Sequence, residues 1–196
     1  MRYWNMIIFI STTKERRAKC AYMLQQIRET AGMDYFLVVY ENKAGGIVKA
    51  IWQFLNLFSG DDLVIILNDD MWPITPNWLA LLKETWDNNF KQYGLIMPND
   101  GITEGKVATI QFTTLSFLRK HCYPGYIHNY WDTEITDITR ELGLYIYCPE
   151  IIIEHQHWIR QKAVCDLTYQ QNIATSEGDR LLYECRKHEK YNSSNK

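Results

Sequence analysis

Short, continuous apolar runs alternate with segments of helical periodicity in the first half of the chain, and this alternation limits the possible folds more than any other feature. The apolar runs contain few polar positions, which is typical of strands in a parallel sheet that helices cover on both faces. The sequence therefore predicts an α/β fold of the Rossmann-like kind, with a mostly parallel sheet between layers of helices. The predicted elements here are strands at 4–11, 35–42, 63–67 and 94–98 and helices at about 14–31, 47–58 and 75–88.

The second half of the chain lacks this regular alternation. We predict an edge strand or two short strands at 144–158, because this extended segment contains a proline. The other predicted elements are a strand at 107–112, a helix at 131–143 and a last helix at 178–190. We find no repeat and no linker, so residues 1–196 are predicted to form one domain with subregions at about 1–100, 101–160 and 161–196.

Composition excludes some classes of protein. Hydrophobic residues make up 46% of the chain, charged residues 22%, and the net charge is −2, which is ordinary for a globular protein and gives no general sign of nucleic-acid binding. The five cysteines are scattered without a CxxC pair, so we expect reduced thiols and a cytoplasmic protein. No apolar segment approaches the length of about 20 residues that spans a bilayer, so no membrane span is predicted.

Two adjacent carboxylates, Asp69 and Asp70, end the apolar run of the third predicted strand in LVIILNDDMWP. Ligands of parallel sheets bind at the carboxyl ends of strands. Neighbouring carboxylates repel each other when they lose water, and a divalent cation such as Mg²⁺ or Mn²⁺ removes that repulsion. The pair therefore predicts a metal site, and the alternatives are an acid pair at the N-terminus of a helix or an exposed turn.

His155 and His157 lie two positions apart in an extended segment, so their side chains point to the same side. Neutral imidazole is a common ligand of metals such as Mn²⁺. We predict that at least one of the two completes the metal site, and a strand with incidental surface histidines is the alternative.

Asp132 and Glu134 lie at the start of a predicted helix, after an aromatic loop. A carboxylate in this place is suited to act as a general base, but Asp132 is equally suited to be the N-cap of the helix. Both interpretations remain open on the residues alone.

Polar residues also follow the first two predicted strands, where a nucleoside would find hydrogen-bond partners. Helix capping and turn formation are the alternative roles of these side chains. Neither a G-x-G-x-x-G nor a P-loop motif is present. The residues are Thr12, Thr13, Glu41 and Asn42.

The order of these motifs resembles that of GT-A fold nucleotide-sugar glycosyltransferases of the family 2 type, over roughly residues 4–158. Asn68 stands where the family usually has the first Asp of its D-x-D motif, and Trp131 stands where it usually has Glu. The segments that carry the resemblance are FISTTKERR, VVYEN, IILNDDMWPITPNWL, WDTEITDITRELG and CPEIIIEHQHW.

The resemblance implies roles for individual residues. It implies that Asp70 and His155 bind the metal ion, with His157 as a near alternative, and that Asp132 is the catalytic base. Trp131, Glu134 and Tyr126 are the candidate acceptor contacts. The donor contacts implied are Thr12, Thr13, Arg16, Glu41, Asn42, Asn68 and Asp69.

The implied function is metal-dependent, inverting transfer of a sugar from a nucleotide sugar, with a UDP-sugar expected, to an acceptor hydroxyl. The implied cofactor is Mn²⁺ or Mg²⁺, and the acceptor is a glycan or a hydroxymethylated DNA base. On this interpretation the first subregion binds the donor, the second binds the acceptor, and the third is a helical extension. A metal-dependent nucleotidyltransferase or phosphodiesterase and a non-catalytic nucleotide-binding module are the alternatives.

Overall fold

The computed structural model describes residues 6–42 and 46–193 of the chain. Its strands are β1 (Met6–Thr12), β2 (Phe36–Glu41), β3 (Leu63–Asn68), β4 (Met71–Pro73), β5 (Leu95–Asn99), β6 (Gln111–Thr114) and β7 (Tyr145–His155). Its α-helices are α1 (Arg17–Thr30), α2 (Gly46–Leu55), α3 (Trp78–Asn89), α4 (Leu115–His121), α5 (Trp131–Glu141) and α6 (Leu167–Ser193).

The seven strands form a sheet in the order β2-β1-β3-β6-β5-β7-β4. β1 is parallel to β2 and β3, and β5 is parallel to β7. β6 is antiparallel to both β3 and β5, and β4 is antiparallel to β7. The α/β class is therefore confirmed, whereas the prediction of a mostly parallel sheet is not confirmed because the sheet is mixed.

Helices cover both faces of the sheet. Along β1, Ile8 and Ile10 pack in one core cluster with residues of α1 and α3, whereas Ile7 and Phe9 pack in a second cluster with residues of α2. This double burial explains why β1 and β3 are apolar at nearly every position. The edge strand β2 differs, since Phe36 is 62% exposed.

Several predicted boundaries are wrong. The helix expected from Pro76 begins at Trp78, after Asn77 in the left-handed conformation (φ 60°). The short strand β4 directly follows the acid pair and was not predicted. The last helix begins at Leu167 rather than at 178.

The prediction of an edge strand or two short strands here is also wrong, since β7 is one strand and its last three residues pair with β4. A register shift between Pro98 and Asn99 separates their partners in β7, Cys148 and Ile152. This bulge accommodates Pro149, which lies inside the shift and cannot donate a ladder hydrogen bond. The long strand delivers His155 to the same end of the sheet as the acid pair.

Among the described residues, no helix is both long enough and apolar enough to cross a membrane.

Candidate functional site

A cavity of about 570 Å³ lies at the carboxyl end of β1 and β3. Its walls come from the loop after β1, the residues after β3, the end of β7 and the first turns of α6. These segments are far apart in sequence, so the sheet and the last helix together create the cavity. Its location is the one expected for a ligand site in a sheet of this class.

Asp69 and Asp70 directly follow β3, and each is only 2% exposed. The Thr12 hydroxyl donates a hydrogen bond to Asp69 Oδ2 at 2.7 Å. The Tyr169 hydroxyl, from α6, donates to Asp70 Oδ2 at 2.6 Å. The exposed-turn alternative is therefore wrong, because both carboxylates are buried and hydrogen-bonded.

A buried guanidinium neutralises part of the charge of this acid pair. Arg16, which is 6% exposed, donates through Nη1 to Asp69 Oδ1 at 3.1 Å and to Asp70 Oδ2 at 3.2 Å. Its other edge donates through Nε and Nη2 to Asp166, at 3.0 and 2.9 Å. The Tyr169 ring lies 4.2 Å from the guanidinium carbon. Arg16 thus joins three carboxylates in one network.

The two acids differ in their tendency to bind a proton. Burial and the neighbouring charge of Asp70 raise the pKa of Asp69 to about 6, although Arg16 and Thr12 oppose that shift. Burial by itself would also raise the pKa of Asp70, but its contacts with His155, Arg16 and Tyr169 outweigh burial and hold that pKa well below its usual range. Asp70 is therefore the carboxylate of the pair that stays ionised.

His155 faces the acid pair from the end of β7. Its Nε2 atom lies 3.4 Å from Asp70 Oδ1, too far for a well-formed hydrogen bond. Asp70 Oδ1 and His155 Nδ1 are buried without a hydrogen-bond partner among the described residues. His157 is oriented differently, because its Nδ1 atom accepts a hydrogen bond from Ile159 N at 3.3 Å.

These positions fit a metal ion with two protein ligands. Two ligand atoms that are each about 2.1 Å from one ion lie about 3.0–3.4 Å apart in adjacent coordination positions. Asp70 Oδ1 and His155 Nε2 meet this condition. Among residues 6–42 and 46–193, no group of three or more His, Cys, Asp and Glu side chains is arranged to hold a metal. Remaining ligands would have to be water and substrate phosphate, an arrangement that Mg²⁺ accepts.

A second cavity, of about 200 Å³, adjoins the first, and the two share Asn68, His128 and His155 in their walls. Asp132 lines only the second cavity, together with Trp131. The acid pair, in contrast, lines only the first cavity.

Asp132 is the second residue of α5, and the N-cap of that helix is Tyr130, with φ 64°. The prediction that Asp132 is the N-cap is therefore wrong. Desolvation raises the pKa of Asp132 to about 6, and hydrogen bonds from Thr133 oppose the shift without cancelling it. A carboxylate with this pKa is suited to accept a proton near neutral pH.

His128 is a candidate site residue that sequence reasoning missed. It lines both cavities, and Asn172 of α6 contacts its Nε2 atom at 2.9 Å. Burial lowers the pKa of His128 to about 4, so the imidazole is neutral at physiological pH. No local pattern marks it, since it lies in an irregular aromatic loop.

Two features determine the position of the loop that carries His128. Asp179 of α6, 2% exposed, accepts hydrogen bonds from the backbone N–H groups of Ile127, His128 and Asn129 at 2.7–2.9 Å. Gly46 lets the loop cross the start of α2, since a Cβ atom there would lie 1.9 Å from the Ile127 carbonyl oxygen.

The structure brings most of the predicted donor residues to the larger cavity. Thr13 Oγ1 is buried there without a hydrogen-bond partner among the described residues. Glu41 is not part of the cavity lining and instead pairs with Arg17 at 2.6 Å. The predicted donor residues that line the cavity are Thr12, Thr13, Arg16, Asn42, Asn68 and Asp69.

Two of the three predicted acceptor residues do not line either cavity. Glu134 forms an ion pair with Arg186 of α6 at 2.9 Å. Tyr126 is 2% exposed and packs in the second core cluster. These side chains stabilise the packing of α5, α6 and the aromatic loop, so neither reaches the cavity that Asp132 lines. Trp131 does line the second cavity.

No protein-family model matches the chain. No curated protein matches it either. Among solved structures, the chain is similar to the crystal structure of A197 from STIV, with a TM-score of 0.48 and 11% sequence identity, over 78% of this chain and 95% of that one.

Proposed function

We propose that the chain is a metal-dependent, inverting glycosyltransferase of the GT-A kind that uses a nucleotide-sugar donor. One observation carries this proposal: the acid pair lines one cavity and Asp132 lines a second, and the two cavities adjoin, with Asn68, His128 and His155 among the residues that line both. A group that binds a leaving phosphate and a group that removes a proton from the attacking hydroxyl must lie on opposite sides of the carbon that is transferred.

The larger cavity is suited to the donor. Its polar lining includes Thr13, Asn42 and Asn68, whose side chains have the donors and acceptors that a nucleoside and a sugar require. A UDP-sugar is the proposed donor, and this choice rests on the sequence resemblance.

Asp70 and His155 are the proposed ligands of a divalent ion, Mn²⁺ or Mg²⁺. Such an ion supplies positive charge that stabilises the departing diphosphate. The chain contributes the ionised carboxylate and the neighbouring imidazole, held 3.4 Å apart on the ends of β3 and β7.

The smaller cavity is suited to the acceptor hydroxyl. Asp132 takes the hydroxyl proton while the acceptor oxygen bonds to the anomeric carbon. The bond from that carbon to the phosphate oxygen breaks, and the nucleoside diphosphate leaves with the bonding electrons. A single displacement of this kind inverts the anomeric configuration. A glycan hydroxyl or the hydroxyl of a hydroxymethylated DNA base is the proposed acceptor.

Thermal unfolding with a panel of nucleotides and nucleotide sugars, with and without Mn²⁺, tests this proposal. We expect one nucleoside diphosphate and its sugar conjugate to raise the melting temperature of the chain, and to do so more strongly with Mn²⁺. Binding of a nucleotide without any metal dependence would favour the non-catalytic module. No stabilisation by any nucleotide would overturn the proposal.

A further inference from the structure

Arg16 has two hydrogen-bonding edges, and they face different surroundings. The Nη1 group binds the buried acid pair, whereas Nε and Nη2 face Asp166 in the lining of the larger cavity. The acid pair engages only one edge, so the second edge is available to a ligand whenever Asp166 is elsewhere.

The contact between Arg16 and Asp166 has the geometry that a guanidinium also forms with phosphate. Two nearly parallel N–H···O bonds of 3.0 and 2.9 Å join the two side chains. Arginine binds carboxylate and phosphate oxygens with the same planar fork. Lys19 adds a second cation, with its Nζ atom 3.3 Å from Asp166 Oδ2. Two cations thus converge on one carboxylate inside the cavity.

The segment that carries Asp166 is held by ion pairs rather than by buried side chains, since Lys162 pairs with Glu154 and Asp166 with Arg16 and Lys19. None of the side chains of residues 161–168 is buried, and Val164 is 81% exposed. The first buried side chain after it is Tyr169, which is 4% exposed and hydrogen-bonded to Asp70. Because the segment buries so little surface, its opening costs mainly the ion pairs of Asp166 and Lys162.

We propose that Arg16 and Lys19 form a phosphate-binding site and that Asp166 fills it as a displaceable internal anion. Residues 161–168, which we call the gate segment, must move aside before a phosphate group of the ligand reaches the Arg16 fork. The ligand class, a diphosphate ester, rests on the proposed function, but the competition between Asp166 and phosphate does not require any sugar transfer. The gate lowers the apparent affinity in proportion to the fraction of molecules in which it is open.

Inorganic pyrophosphate is the probe for this proposal, because it carries the diphosphate but no nucleoside and no sugar. Its dissociation constant is measured by titration calorimetry with the wild type and with Asp166→Asn. Asparagine keeps the shape of the side chain and can still cap the helix, where Asp166 Oδ1 now accepts from Tyr169 N at 3.2 Å. We expect Asp166→Asn to bind pyrophosphate at least tenfold more tightly than the wild type.

Two further variants make the result specific. Glu177→Gln removes a carboxylate of the same helix that pairs with Arg180 at 2.7 Å, and we expect it to leave pyrophosphate binding unchanged. Adding Arg16→Lys to Asp166→Asn keeps the positive charge beside the acid pair but removes the fork, and we expect the gain in affinity to disappear. Equal or weaker binding by Asp166→Asn would overturn the proposal, as would an equal gain in Glu177→Gln.

Hydrogen–deuterium exchange supplies an independent measurement on the wild type. We expect saturation with pyrophosphate to speed amide exchange in the gate segment. Unchanged or slower exchange there would contradict displacement. The pyrophosphate and exchange experiments test only the displacement of Asp166. The proposed use of a nucleotide sugar is tested separately, by thermal unfolding with nucleotides, so either proposal can fail without the other.

Discussion

Desolvation raises the pKa of the Asp132 carboxylate to about 6. This value lies within the pH range that an activity assay can cover. Only the ionised form can accept a proton from a hydroxyl. We expect the rate of transfer to rise as the pH increases through about 6 and to be lost as the pH falls below it. A rate that is independent of pH between 5 and 8, at constant fold, would contradict the role of this carboxylate.

Asp132→Asn tests the same residue by substitution. We expect the rate of transfer to fall by about 10²- to 10⁴-fold, the usual contribution of a general base. Nucleotide binding should change by less than about twofold, because Asp132 lies in the smaller cavity and not in the lining of the larger one. Glu141→Gln, on the same helix, is the control and should keep the wild-type rate. A full rate in Asp132→Asn would exclude Asp132 as the base.

His155 was the first candidate for the metal ligand and His157 the near alternative, and the structure gives the two side chains different surroundings. Only His155 places a ring nitrogen 3.4 Å from Asp70 Oδ1. We expect His155→Ala to weaken Mn²⁺ binding in the presence of nucleoside diphosphate by about 10- to 100-fold and His157→Ala to have a much smaller effect. Electron paramagnetic resonance of bound Mn²⁺ measures both. The reverse order of the two effects would contradict the assignment.

The location of the acid pair at a strand end could be predicted because the apolar pattern of β3 is clear, whereas the pattern around His155 indicated only an extended segment. Arg16 was predicted as a donor contact, but its main partner Asp166 is 150 positions away and carries no local signal. The positions of Glu134 and Tyr126 outside both cavities could not be predicted, since the pattern of α5 gave no information about the packing of α6 against it.

At the scale of elements, α6 is an integral wall of the site rather than a peripheral extension. Asp179 binds three backbone N–H groups of the loop that carries His128. Asp179→Asn replaces one accepting oxygen with an NH₂ group, which leaves at least one of these buried donors without a partner. We expect the free energy of unfolding to fall by about 1–3 kcal/mol.

Chemical denaturation measures this change, with Glu184→Gln as the matched control on the exposed face of the same helix, where Glu184 pairs with Arg180. We also expect faster amide exchange in residues 122–130 of the Asp179→Asn variant. Equal stabilities of Asp179→Asn and Glu184→Gln would mean that α6 does not hold the loop.

The strand β6 shows that an apolar sequence pattern can indicate a strand without indicating its direction in the sheet. Residues 107–112 are apolar enough to indicate a strand, but Gln111–Thr114 form the strand observed, and it runs antiparallel between β3 and β5. Burial on both faces depends on which elements cover a strand and not on its direction, so the apolar pattern could not distinguish the two orientations.

At the scale of the whole molecule, the first half of the chain was predictable because its strands and helices alternate with clear periodicity. The candidate site was predictable only in part, because it combines β1, β3 and β7 with a loop and a helix from the second half. The two cavities exist only when these parts are assembled.

The most direct test of the proposed activity is the release of nucleoside diphosphate from a panel of nucleotide sugars. The chain is incubated with Mn²⁺, each donor, and either simple glycans or hydroxymethylated DNA as acceptor, and the products are separated by chromatography. We expect one donor to release its nucleoside diphosphate with the wild type and with Glu141→Gln, but not with Asp132→Asn. Release from no donor by a folded wild-type chain, or equal release by Asp132→Asn, would contradict the proposed function.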